Sequence, residues 1–77
     1  MHEVVLNSIP AKRAEHVIRV VHKHNRMMNH HEHEAVVARV MAGGSEVIAK
    51  FGELHSAENV LKELTYHGAV GEIRSAN

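Results

Sequence analysis

The chain has 77 residues, 44% of them hydrophobic, and its nine Lys+Arg balance nine Asp+Glu for a formal net charge of zero. That length fits one domain near the lower limit for self-sufficient folding, and the charge balance removes overall basicity as a sign of nucleic-acid binding. With no Cys, no Trp, one Phe and one Tyr, the chain has no disulfide framework, no Cys-based zinc knuckle and little on which to stack bases.

The fold must therefore rest on an apolar core. No apolar run approaches the ~20 residues needed to span a bilayer. The opening MHEVVLNSIP is strand-like and lacks the basic and apolar regions of a signal peptide. A soluble, cytoplasmic protein is the expectation.

Residues 3–9, EVVLNSI, are rich in branched apolar side chains and end at Pro10, which reads as a first strand. Pro10 suits the beginning of a helix, where its missing N–H costs little. From Ala11 to about Arg26 the pattern is helical. Ala14, Val17, Ile18 and Val21 share one face, with Met28 in phase beyond. Lys12, His16, Arg19, Lys23 and Arg26 line up on the opposite face.

Asn29 is placed as an N-cap and Glu32 as the acid of a capping box. The second helix then runs to about Ala42, with Val36, Val37, Val40 and Met41 as its buried stripe and Gly43-Gly44 as its stop. Residues 45–54 read as a second strand, in which Val47, Ala49 and Phe51 alternate with Glu46, Ile48 and Lys50. Ser56 is read as the cap of a third helix with Ala57, Val60, Leu61 and Leu64 inward and Gly68 as its end. AVGEIRS gives a last strand, and residues 75–77 a frayed tail.

The expected fold is α+β: a two-layer sandwich in the order β-α-α-β-α-β, with a three-stranded sheet and three helices on one face. It forms a single domain over residues 1–77, its core spanning about 3–74.

VIRVVHK (residues 17–23), HEAVVARV before its glycines, and SAENVLKELTYHGAVGEI together resemble the C-terminal domain of the bacterial ribosomal stalk protein. The element order is also similar to that of the Clp protease adaptor for N-degrons. RMMNHHEH stands where the stalk family has a short Gly-rich turn, and Asn7 alone matches the adaptor family's acidic stretch. The resemblance covers residues 3–74. It implies a binding module rather than an enzyme, since both families dock protein segments on a small rigid sandwich.

Residues 22–34, HKHNRMMNHHEHE, hold five of the nine histidines. A zinc site there would need three or four ligands, and His24, His30, His31 and His33 are the candidates. HxH and HHxH lack the fixed spacing of a His-Glu-x-x-His helix motif. The preferred reading is a polar turn with His33 packed at the core edge, and no cofactor. Because unperturbed imidazoles titrate near pH 6.5, clustered ones should also bring some loss of stability on mild acidification.

Lys12, His16, Arg19, Lys23 and Arg26 form the sharpest one-sided feature. Val20 and Met27 lie on its flank, as apolar contacts beside the charges if exposed. These seven residues are the candidate partner-binding surface. The stripe lacks aromatics and the chain is neutral, so a protein partner ranks above a nucleic-acid backbone. No nucleophile motif or phosphate-cradling loop occurs. A chain this short also has little room for a deep substrate pocket of ~300 Å³ or more, so an enzyme is not expected. The resulting expectation is an adaptor, modulator or inhibitor acting through its first helix and the following turn. A metal-binding protein and a weak nucleic-acid binder are the alternatives. Homodimerisation through an open sheet edge is compatible with the sequence.

Overall fold

A computed structural model of the chain describes residues 1–25 and 28–75. Three strands and three helices follow the expected order: β1 (His2–Ser8), α1 (Ala14–His24), α2 (His30–Met41), β2 (Glu46–Phe51), α3 (Leu54–Tyr66) and β3 (Val70–Ser75). The fold is α+β, with one open antiparallel sheet of strand order β2-β1-β3. Arg26 and Met27, counted with the first helix and its turn, lie outside the described residues.

Pro10 does not begin α1. It is extended, with ψ at 133°, and its carbonyl accepts from the Arg13 amide at 2.9 Å, closing a single 3-10 turn over Ala11–Arg13 that feeds the helix. Asn29 caps α2 as the sequence predicts. Its side chain accepts from the Glu32 amide at 2.9 Å, and the Glu32 carboxylate accepts from the Asn29 amide. Gly43 and Gly68 end α2 and α3 at φ of 105° and 85°, where a side chain would be strained. Ser56 is not a cap. α3 starts at Leu54, and Ser56 lies within its first turn.

β1 is the central strand. Val4 and Leu6 point from it into one core with Ile48, Val17, Val21, Val36, Val37, Val40, Val60 and Leu64. α2 and α3 lie against the sheet, and α1 packs against both of them. That placement corrects the burial of α1. Its buried residues are Val17, Val20 and Val21, whereas Ala14 and Ile18 are only partly covered. A helix embraced from two sides buries a wider arc than one face, and the arc extends toward Val20.

β2 departs from strict alternation. Val4 pairs with Ala49 while Val5 pairs with Val47, leaving Ile48 as an extra residue in a β-bulge. Partners across an antiparallel ladder share a face. Phe51 is paired with His2 and Glu46 with Leu6, so both lie on the helix side. The bulge turns Ile48 to that side as well, and it is fully buried. Val47 is displaced to the open face, 38% exposed.

At Gly71, opposite Leu6, a Cβ would stand 2.6 Å from the Val5 carbonyl oxygen and 3.0 Å from Leu61 Cδ1. Only glycine lets α3 lie this close over the junction of β1 and β3.

Candidate functional site

The first hairpin, α1 with α2, carries both sets of candidate residues, and the structure separates them. The four candidate metal ligands divide into four environments. His33 is fully buried. Its Nε2 lies 2.7 Å from the Asn25 carbonyl oxygen, which can only accept, so Nε2 carries the proton. A neutral ring then has a bare Nδ1, which accepts from His22 Nδ1 at 3.2 Å. Asn25 in turn donates from Nδ2 to the Ile48 carbonyl at 2.8 Å. One hydrogen-bonded chain therefore runs from α1 through α2 and the turn to the bulge of β2. It fixes the hairpin to the sheet at the point where the strand is irregular.

The other three metal candidates are spread around this clasp. His24 is half-buried, its Nε2 3.1 Å from Glu63 Oε2 on α3. His30 Nε2 lies 2.6 Å from Glu34 Oε1, one turn along the same helix. His31 is exposed and meets His30 edge-on, ring centroids 6.5 Å apart. Among the described residues, no three His or carboxylate side chains are arranged to hold a metal ion. The consecutive helical positions of His30 and His31 splay their rings, and both nitrogens of His33 are already bonded.

The basic stripe is likewise divided. Lys12 is exposed in the 3-10 turn. His16 stacks on His67 beyond the end of α3, with ring centroids 5.3 Å apart. Lys23 is tied to α3 by a 2.8 Å bond to Glu63. The hydrogen bonds from Lys23 and then His24 hold the Glu63 carboxyl below its ordinary value. Val20 is 5% exposed and belongs to the core, so the exposed apolar flank expected there is not formed. Arg19 remains exposed, and no ion pair engages it among the described residues.

Arg19 stands on a ridge between two grooves. On one side His16, Val20, Lys23, Glu63 and His67 line a depression of about 250 Å³ between α1 and α3. On the other, a groove of about 500 Å³ runs between α1 and α2. Its floor is apolar, formed by Ala14, Ile18, Val37, Ala38 and Met41, and Glu15, Arg19, His30 and Glu34 rim it. The sequence reading assigned Met41 to the core, yet it is 43% exposed and forms one end of this floor. α2 stops at Gly43, so no further turn of helix covers it.

Sequence reasoning therefore missed Ile18, Ala38 and Met41 as surface groups, and Asn25 and Glu63 as anchors. No local signal marks Asn25 or Glu63, because the side-chain partners lie 23 residues from Asn25 and 39–40 from Glu63. Fold and site together define a small α+β domain with a surface groove between its first two helices. No family model, curated protein or solved structure matches the chain. No helix among the described residues is long and apolar enough to cross a membrane.

Proposed function

We propose that the domain is a non-enzymatic protein-interaction module that receives a segment of a partner protein in the groove between α1 and α2. The observation that carries this reading is the groove's construction. Apolar side chains line its floor and charges of both signs rim it, which is how surfaces that accept an amphipathic helix are built. His30 and Glu34 on the rim satisfy each other. Glu15 and Arg19 are left to orient an incoming segment by its own charges. The resemblance to the stalk and adaptor families supports the same role, since both act by docking protein segments. The histidine clasp has a supporting part here: by holding the turn to β2 it fixes the angle between the two helices that form the groove.

The test is affinity capture from the native host, with mass spectrometry of the bound proteins. Arg19→Glu and Met41→Glu alter exposed groove residues and should each lose a partner that wild type and Asn59→Glu, a change at an exposed position of α3, both retain. A partner retained equally by all four proteins overturns the assignment of the groove.

A further inference from the structure

The sheet has two edges, and the fold treats them differently. At β2 the bulge disrupts the ladder, and the Ile48 carbonyl accepts from Asn25. His24, Asn25 and Met28 flank Val47, Ile48, Ala49 and Lys50 there. That edge is blunted by a bulge and a covering turn, two common devices against unwanted strand pairing. β3 is the other edge. From Gly71 to Ser75 it pairs without a break against Leu6 to His2. Among the described residues, no group outside the sheet is hydrogen-bonded to its backbone.

We propose that two copies of the chain pair antiparallel through β3, joining their sheets into one of six strands. The side chains of β3 specify how. Glu72 and Arg74, opposite Val5 and Glu3, lie on the open face, while Ile73, opposite Val4, lies on the helix face. Placing Ile73 opposite Ile73 of the second copy sets each Glu72 against the other copy's Arg74, twice over. Sliding the strands by two residues one way opposes Glu72 to Glu72, and the other way Arg74 to Arg74. Sliding by one sends apolar groups to the wrong face. Opposite charges across a strand pair stabilise and like charges destabilise, so one register is selected.

The helix face agrees with this register. Ile73, Leu61, Glu58, Lys62 and Thr65 line a groove of about 350 Å³ beside α3. Ile73 of the second copy would continue its apolar wall at the two-fold axis. Such a contact is self-complementary and closes at two copies, and the blunted β2 edge stops further growth. A short strand and one shallow groove place the interface at the small end of specific contacts, so association should depend on concentration. The surface shares no residue with the α1–α2 groove, and the two proposals stand or fall separately.

Sedimentation equilibrium tests it over concentrations from low micromolar to near-millimolar. The weight-average mass of the wild type should rise from 8.6 kDa toward twice that value. Arg74→Glu and Glu72→Arg each turn two attractive pairs repulsive and should weaken association by about tenfold or more. Combining Glu72→Arg with Arg74→Glu in one chain restores opposite charges and should return association to the wild-type range. Far-ultraviolet circular dichroism identifies which variants are folded, and either single variant suffices for the comparison. A wild type that stays monomeric overturns the proposal. So do folded single variants that associate like wild type, or a folded double variant that does not recover.

Discussion

Replacing His33 by leucine removes the centre of the hydrogen-bonded chain without opening a large cavity, because the two side chains are of similar size. The bond lost is the 2.7 Å contact from Nε2–H to the Asn25 carbonyl. The exposed His22 regains water, so its loss costs little. Removing the donor from a part-buried hydrogen bond costs about 1 to 2 kcal/mol. In a domain of this size, each kcal/mol lowers the melting temperature by about 4 to 8 °C. His33→Leu should therefore melt about 4 to 16 °C below wild type when followed by circular dichroism at pH 7.5. His33→Gln is the companion variant, because its amide can donate from nearly the position of Nε2. It should recover much of the loss. The reasoning is refuted if His33→Leu melts at or above wild type, or if the glutamine variant is no better than the leucine one.

Glu63 predicts an acid response. Its carboxyl is held below the ordinary value of 4.5, so its stabilising contribution is complete above that value and disappears as pH falls through the depressed one. Glu63→Gln should lack this part of the acid limb in a stability titration. Asn25→Ala frees the Ile48 carbonyl and should cost about 1 kcal/mol, with faster hydrogen exchange at the amides of β2 than in wild type. Gly71→Ala forces a Cβ against the Val5 carbonyl at 2.6 Å. It should destabilise by about 1 to 3 kcal/mol in chemical denaturation, as overpacking does.

Local physics made most of the architecture legible. The Asn29–Glu32 box is a short-range bond pattern, and Gly43 and Gly68 sit where only the left-handed backbone ends a helix cleanly. Element order follows from such signals because each is complete within a few residues. What failed depends on neighbours far along the chain. Val20 is buried because α3 as well as α2 packs on α1. The bulge at Ile48 defeats an alternation count, since a single extra residue reverses the faces beyond it. Met41 has the right phase for the core but sits past the last neighbour able to cover it. Of the site, Arg19 and His33 could be read from the sequence, one as a surface cation and the other as a core-edge ring. The clasp that gives His33 its role spans α1, α2 and β2, and no spacing rule reports such a contact.

The account turns on the histidine-rich hairpin being a hydrogen-bonded clasp that shapes a groove, and the ring nitrogens of His33 report on that directly. A long-range proton–nitrogen NMR spectrum of tag-free protein at pH 7.5 distinguishes the states of these atoms. The predicted result is a single neutral tautomer, protonated at Nε2 and bare at Nδ1, unchanged when one equivalent of zinc is added. Two nitrogens averaged as in a free imidazole, or an Nδ1 resonance captured by zinc, would contradict it.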